Sequence, residues 1–324
     1  MRRLVAAAAL GITWGSIGST QAQDYPVRPI TIVVPYAAGG PFDATIRILS
    51  EHMRASLGQA IVIENVSGAG GSIGTGRVAQ ASPDGYTLIT GGLNTHVVNP
   101  AVLQLQYDVI KDFEPIGLLA GIELLIVGKK SITAHDLKEL IAWLKANPDK
   151  ASLGTAGKGT TPHLAALLFQ RETGTRFALV SYRGAAPAMN DLVAGHIDLM
   201  IDPMNNSLPQ VRAGTIKAYA VMSPKRAAVA ADIPTVDEAG LSDLHMQAWQ
   251  ALWAPRGTPP SVISRLNGAI ITALDEPGVR SRLADLGLQL FTREQMTPDK
   301  LAAFHKSEIE KWWPIIKGAN IKLD

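Results

Sequence analysis

Short apolar runs rich in Val and Ile alternate with helical patterns along nearly the whole chain. This alternation restricts the fold more than any other feature, because strands that alternate with helices predict an α/β fold with parallel sheets covered on both faces. The candidate strands are Ile30–Val34, Ile61–Ile63, Tyr86–Thr90, Leu124–Val127, Phe177–Val180, Ile197–Ile201 and Ile216–Val221. After the first run, one helix face repeats apolar residues, which are Ile46, Leu49, Met53 and Leu57. Gly58 then provides a helix stop.

Two long apolar segments, Leu118–Val127 and Met246–Pro255, lie at roughly equal distances from the middle of the chain. Two crossing strands at these places would build one lobe from both ends of the chain and the other lobe from its centre. The sequence therefore predicts a first lobe made of 23–123 plus 250–324 and a second lobe made of 124–249.

The first residues have the pattern of a secretory signal peptide. Arg2 and Arg3 precede the apolar or small stretch Leu4–Ser19, and Thr20–Ala22 has the small-x-small form of a cleavage site. The apolar stretch is shorter than the roughly 20 residues that a membrane span needs. We therefore expect residues 1–22 to be removed after Ala22 and the protein to reach the periplasm, with an uncleaved anchor as the alternative.

Charge and cysteine content exclude several classes of function. Cleavage would remove two of the 30 basic residues and leave 28, which equals the number of acidic residues. A neutral chain has no broad positive field, so nucleic acid is not an expected partner. The absence of cysteine excludes disulfides, thiol catalysis and thiolate metal sites. Because the seven histidines are scattered, we expect no metal site, and no cofactor either.

Three strands are followed by small residues and then by a proline near the start of a helical pattern. The turns are Gly39-Gly40-Pro41, Gly159-Thr160-Thr161-Pro162 and Gly184-Ala185-Ala186-Pro187. Proline is tolerated in the first turn of a helix, where the free amides and the helix dipole favour an anion. Such turns lie beyond the carboxyl ends of the strands, where α/β proteins bind ligands. They predict a shared anion-binding cleft, although each could be a simple strand-to-helix turn.

Two fragments imitate enzyme motifs. Gly70–Gly74 matches the serine nucleophile elbow, with Ser72 as the nucleophile. Gly154–Gly159 resembles a phosphate-binding loop but lacks its Gly-Lys-Ser/Thr order. Both matches are short and lie in glycine-rich segments, so we expect no enzymatic activity. A serine hydrolase remains an alternative.

Several longer motifs, in order along the mature chain, resemble the Bug family. They are YPVRPITIVVPYAAGG from Tyr25, ENVSGAGGSIG from Glu64, SPDGY from Ser82, YRGAAP from Tyr182, GHID from Gly195 and DIPT from Asp232. Members of this family are periplasmic solute-binding proteins of tripartite tricarboxylate transporters. The resemblance implies a two-lobed periplasmic-binding-protein fold, similar to type II, whose two crossing strands form the hinge. It also implies a small carboxylate ligand and membrane permease subunits as partners, and we expect a monomer.

The resemblance further implies which residues form the binding site. These are Ala37, Ala38, Gly39, Gly40 and Asp43 in the first lobe, the turn with Asn94 and Thr95, and Thr155, Ala156, Gly159, Thr160, Tyr182, Gly184 and Asp202 in the second lobe. Asp43 would repel a carboxylate. We therefore expect it to hold loop amides or a water in place rather than to contact the ligand.

Phe42 departs from the family pattern, in which many relatives have a small hydroxyl residue at this position. A phenyl ring cannot bind a carboxylate, but it can pack on the apolar or aromatic body of a ligand. This leads to the hypothesis of an aromatic or otherwise apolar-bodied carboxylate, with an outward-facing Phe42 as the alternative. A periplasmic ligand sensor is the other function that the sequence leaves open.

Overall fold

The computed structural model describes residues 25–36, 38–182 and 184–318. The predicted signal peptide, its cleavage after Ala22 and the predicted site residue Ala37 lie outside the described residues.

The described chain alternates strands and helices, as the sequence predicts. The strands are β1 (Ile30–Val34), β2 (Ile61–Asn65), β3 (Thr87–Gly92), β4 (Phe113–Lys129), β5 (Ser152–Thr155), β6 (Ala178–Ser181), β7 (Leu199–Pro203), β8 (Ile216–Val221), β9 (Gln247–Pro255) and β10 (Gln289–Leu290). The α-helices are α1 (Pro41–Leu57), α2 (Ser72–Ala79), α3 (Asn99–Val102), α4 (Leu137–Ala146), α5 (Thr161–Thr173), α6 (Ala185–Ala194), α7 (Met204–Arg212), α8 (Pro260–Asp275), α9 (Pro277–Asp285) and α10 (Pro298–Gly318).

The strands form a continuous sheet in the order β2-β1-β3-β9-β4-β7-β5-β6, with β8 and β10 also paired to β4. Strands β1, β2 and β3 are parallel at one end, and β5, β6 and β7 are parallel at the other. The prediction of parallel sheets is wrong at the centre, where β4 runs antiparallel to β7, β8 and β9. A strand that crosses between two halves meets its neighbours in the opposite direction, and this produces the mixed sheet.

Strand β4 belongs to both halves of the sheet. Its residues up to Glu123 pair with β9, and those from Leu124 onward pair with β7. Gln247–Trp249, which the sequence-based division put in the second lobe, pair with β4 in the first half. The crossing therefore occurs where Glu123 lies opposite Gln247.

Helix α1 shows how the sequence pattern produces the packing. The four residues of its predicted apolar face are at most 4% exposed: Ile46, Leu49, Met53 and Leu57. Each such buried side chain contributes roughly 1.5–3 kcal/mol relative to an exposed one. The helix ends where predicted, because Gly58 adopts a left-handed conformation (φ 69°) and its N–H bonds to the carbonyl of Arg54. This face holds α1 against the sheet and so sets the position of its N-terminus.

The three predicted strand-to-helix turns all open helices. Helix α1 starts at Pro41, and α5 starts one residue before Pro162. The third turn differs, because α6 starts at Ala185 and Pro187 is its third residue rather than its first. Gly184 has a φ of 116°, which only glycine adopts readily, and this turns the chain directly into the helix.

Candidate functional site

The N-termini of α1, α5 and α6 border one cleft between the two halves of the sheet. Its volume is about 780 Å³. The described lining consists of Tyr36, Ala38, Gly39, Gly40, Phe42, Leu93, Asn94, Ile122, Ala156, Thr160, Thr161, Pro162, Gly184, Ala185, Pro203, Ala248 and Trp249. None of these residues is charged, so backbone amides, hydroxyls and the Asn94 amide supply the polar contacts that this lining offers.

Asp43 holds the loop in front of α1. The N–H of Gly39 donates to Asp43 Oδ2 at 2.9 Å, and the Nε of Arg47 donates to the same oxygen at 2.8 Å. Asn65 Nδ2 donates to the other oxygen at 3.0 Å and also to the carbonyl of Tyr36. The Asp43 side chain is buried and does not line the cleft. It therefore fixes a loop amide, which is the indirect arrangement that the sequence suggested.

The charge state of Asp43 follows from these contacts. The hydrogen bond from Arg47 is the main cause that lowers the pKa of Asp43 to about 2, and the Gly39 amide and Asn65 add to it against the opposing effect of burial. The carboxylate is consequently ionised throughout the physiological range. Its charge is balanced by Arg47 and does not oppose an anion in the cleft.

His163 holds the loop in front of α5 in the same way. The N–H of Gly159 donates to His163 Nδ1 at 2.8 Å, again from a glycine to a side chain four residues later. Burial, with a smaller effect from Lys158, lowers the pKa of His163, which keeps Nδ1 free of a proton and able to accept. The hydroxyl of Thr160 donates to the carbonyl of Gly157 at 2.7 Å. Both loops are thus shaped by contacts within their own half.

The structure brings eight of the predicted site residues together in the lining of the cleft: Ala38, Gly39, Gly40, Phe42, Asn94, Ala156, Thr160 and Gly184. It places six others outside that lining: Asp43, Thr95, Thr155, Gly159, Tyr182 and Asp202.

The hydrogen bonds of Thr95 and Tyr182 explain their positions. Thr95 Oγ1 accepts from the N–H of Gly92 at 3.0 Å and lies 2.9 Å from Nδ1 of the buried His96. The hydroxyl of Tyr182 donates to Asp191 at 2.6 Å, which directs it toward α6. Both side chains support the walls of the cleft.

Asp202 is completely buried at the end of β7. Its Oδ2 accepts from Asn206 Nδ2 and from Ser207 Oγ, both at 2.7 Å. Burial raises the pKa of Asp202 to about 6, although both hydrogen bonds act in the other direction. Among the described residues, no donor reaches its Oδ1. The buried hydroxyl of Thr155 likewise has no hydrogen-bond partner among them.

Comparison with known proteins identifies the family of the chain. Residues 45–321 match the protein family described as the tripartite tricarboxylate transporter family receptor. The chain belongs to this receptor family.

Three solved structures illustrate the relationship. MatC from Rhodopseudomonas palustris, with bound malate, is 40% identical and has a TM-score of 0.76, over 90% of this chain and 100% of MatC. The periplasmic binding protein BugD is 37% identical with a TM-score of 0.75, over 92% of this chain and 99% of BugD. R. palustris Rpa4515, with adipate, is 32% identical with a TM-score of 0.78, over 92% and 99%. They confirm the resemblance to the Bug family and the two-lobed periplasmic-binding-protein fold.

Two further observations apply to the part of the receptor that the structure describes. None of its helices has both the length and the apolar character that crossing a bilayer requires. No group of His, Asp or Glu side chains within the same residues is arranged to hold a metal ion.

An apolar belt of the receptor's cleft was not predicted from the sequence. We use this term for Tyr36, Phe42, Leu93 and Ile122, all of which line the cleft. Trp249 also borders the cleft, but its indole packs against Phe304 and His305 on the opposite face of β9. Within the belt, the rings of Tyr36 and Phe42 meet edge to face with centroids 4.9 Å apart. Of the four, only Phe42 stood out in the sequence. The others lie in or beside strands, where apolar residues usually indicate core, so no signal distinguished them.

Proposed function

We propose that this receptor captures a small, apolar-bodied carboxylate between its two halves and delivers it to the membrane permease of a tripartite tricarboxylate-type transporter. The observation that carries the proposal is the convergence of three helix N-termini on a cleft whose described lining has no charged residue. MatC binds malate and Rpa4515 binds adipate, which supports a carboxylate as the ligand.

The chemistry of the loops suits a carboxylate. Amides at a helix N-terminus form charge-assisted hydrogen bonds to an anion, and the helix dipole adds to the attraction, so no cationic side chain is required. Gly39 and Gly40 would supply one set of contacts, and Thr160 and Gly184 would supply the opposite set. A ligand that touches both sets stabilises the closed arrangement over an open one and thereby drives closure.

The apolar belt supports a ligand with an apolar body. A carboxylate held by the loops would place the rest of the molecule against Tyr36 and Phe42. Burial of apolar ligand surface against such rings contributes about 25 cal/mol per Å². We accordingly expect aromatic or long-chain carboxylates to bind more tightly than short polar ones.

Binding without catalysis is the function best supported. In the serine hydrolase alternative, Ser72 needs a histidine as general base. Among the described residues, the histidine hydrogen bonds go to partners other than Ser72. The family is a receptor family, which agrees with a protein that is not an enzyme.

The finer organisation is also part of the proposal. We propose that two rigid lobes move around the crossing at Glu123. The first is 23–123 plus 250–324 and the second is 124–249, except that Gln247–Trp249 pair within the first half and belong to the first lobe. We also propose that the receptor works as a monomer in the periplasm after cleavage behind Ala22. The change of β4 from one half of the sheet to the other supports this division. The mass of the secreted protein tests the cleavage site, and light scattering tests the monomer.

The test of the proposed function is thermal unfolding of the protein from Gln23 onward, refolded to remove any bound ligand, against a panel of carboxylates. The panel contains aliphatic diacids, tricarboxylates, acidic amino acids and aromatic acids. Ligand binding to the folded state raises the melting temperature in a dose-dependent manner. A shift with apolar-bodied acids is the expected result. No shift with any carboxylate would refute the proposal, and substrate turnover would favour the hydrolase. If the ligand-bound protein acts on a signalling protein instead of a permease, the sensor alternative is favoured.

A further inference from the structure

A second cavity lies behind the crossing of the two halves. It has a volume of about 360 Å³. Ile122 and Ala248 line the cleft, whereas their chain neighbours Glu123 and Gln247 line this second cavity. Because successive side chains of a strand point to opposite faces, the two cavities lie on opposite sides of the same strand segments. We call the second one the rear cavity.

Both halves of the molecule form the wall of the rear cavity. The segment Met222–Lys225 follows β8 in the second half, and β10 and α10 belong to the first half. A molecule bound there would touch both halves at the crossing. It would therefore act on the same motion that opens and closes the cleft.

Glu123 is an unusual group in this wall. It is 5% exposed, and among the described residues no hydrogen-bond donor reaches its Oε2. Ser223 from one half and Gln289 from the other lie against its carboxyl group. Buried polar atoms nearly always have partners, so an acceptor without a protein partner in a cavity wall is available to a donor on a bound molecule.

Glu308 supplies a second carboxylate from α10. Its Oε2 accepts from the indole N–H of Trp249 at 2.9 Å and from that of Trp312 at 3.2 Å. The rings of Phe291 and Phe304, whose centroids are 6.1 Å apart, also line the cavity, as does Trp312. Carboxylates combined with aromatic faces form a site that favours an ammonium group, through charge-assisted hydrogen bonds and cation–π contact.

Three basic side chains line this wall, those of Lys225, His245 and Lys311, and among the described residues none of them reaches Glu123 Oε2. Lys311 Nζ donates to the carbonyl of His245 at 2.6 Å and lies 5.0 Å from the ring centroid of Trp312. His245 itself lies in hydrogen-bond contact with Asp237. Lys311 could also bind the carboxylate of a zwitterion whose ammonium group reaches Glu123.

We propose that the rear cavity binds a small molecule with an ammonium group, with Glu123 and Glu308 as its acceptors. Trp249 borders the cleft, and its indole N–H donates to Glu308 in the wall of the rear cavity, so this hydrogen bond connects the two walls. Occupancy of the rear cavity would thus act on the wall of the cleft. The ammonium group could belong to a simple amine or to a zwitterionic amino acid. The rear site does not depend on the proposed carboxylate ligand.

The test is a calorimetric titration of the purified protein, in a buffer free of amines, with ethylammonium chloride, L-alanine and sodium acetate. We expect saturable binding of at least one ammonium compound and an affinity about tenfold or more lower in Glu123→Gln. Glu310→Gln is the control for loss of a carboxylate, because Glu310 lies on the exposed face of α10, the helix that carries Glu308, and faces Lys306. This control should not change the affinity.

Each outcome of the titration bears on the proposal. Binding of ethylammonium would show that the ammonium group is sufficient, and binding of alanine alone would indicate a zwitterion. If neither compound binds saturably, or if Glu123→Gln binds as tightly as the wild type, the rear site does not exist as described. Glu308→Gln provides the second test if circular dichroism shows that Glu123→Gln is unfolded.

Discussion

The carboxylate of Asp43 should contribute measurably to the stability of the fold, because it is almost completely buried and accepts specific hydrogen bonds. Asp43→Asn keeps the shape of the side chain and removes its charge. The substitution weakens the hydrogen bonds that Arg47 and the Gly39 amide donate to this side chain. We expect the variant to fold, to be less stable at neutral pH and to bind carboxylates more weakly, since Gly39 borders the cleft.

The magnitude follows from the pKa. A fall from the ordinary value of 3.8 to about 2 corresponds to about 2.4 kcal/mol of folding free energy at neutral pH. Arg47 is half exposed, and solvent screens part of its attraction. The expected loss is therefore about 1.5–2.5 kcal/mol. Because the folded pKa is depressed, this contribution is complete above pH 3.8 and decreases as the pH falls toward 2. About half of it remains at pH 3.

Urea unfolding of both proteins at pH 7 and near pH 3 is the assay. Glu51→Gln is the matched control, because Glu51 lies on the same helix with an exposed ion pair to Arg282 and should cost less than about 1 kcal/mol. If Asp43→Asn costs no more than this control at pH 7, or if its effect is the same at both pH values, the assigned role of Asp43 is refuted.

Three further predictions concern the cleft and its walls. Phe42→Thr should weaken binding of aromatic acids relative to aliphatic diacids, and an unchanged ratio in a thermal-shift panel would contradict the apolar-bodied ligand. Asp202→Asn should be more stable than the wild type by about 3 kcal/mol at pH 7.5, because a carboxyl group with a raised folded pKa loses stability as the pH rises from 3.8 through about 6. In urea unfolding this advantage should vanish near pH 4. His163→Ala should reduce carboxylate affinity in a titration. Because burial lowers the pKa of His163, the affinity of the wild type should hold at neutral pH and fall only in acid, below the usual histidine range, where Nδ1 takes a proton and no longer accepts from Gly159.

Local features of the fold were predictable from the sequence, and long-range ones were less so. The apolar face of α1, its start at Pro41 and its end at Gly58 follow from residues that are close in sequence. The turn at Gly159 implied a preceding strand, but β5, Ser152–Thr155, was not among the candidate strands, because it is short and contains Ser, Gly and Thr. Its strand character comes from pairing with β6 and β7, which the local sequence does not encode.

The candidate site shows the same limit. The Gly39–Asp43 contact spans four residues and was within reach of sequence reasoning. Asn65 and Arg47 complete the environment of Asp43, and Asn65 reaches it only because β2 lies beside β1. Ile122 looked like a core residue, because an apolar side chain in a strand gives no sign of whether it faces a helix or a cleft.

The contacts Gly39–Asp43 and Gly159–His163 each join two residues that are four positions apart in the same half of the molecule. Anchoring and selectivity can therefore change independently during evolution. Substitutions in the apolar belt would retune which molecule is carried while both loops keep their shape. Related receptors can therefore evolve to bind different ligands while the loops that hold the carboxylate stay unchanged.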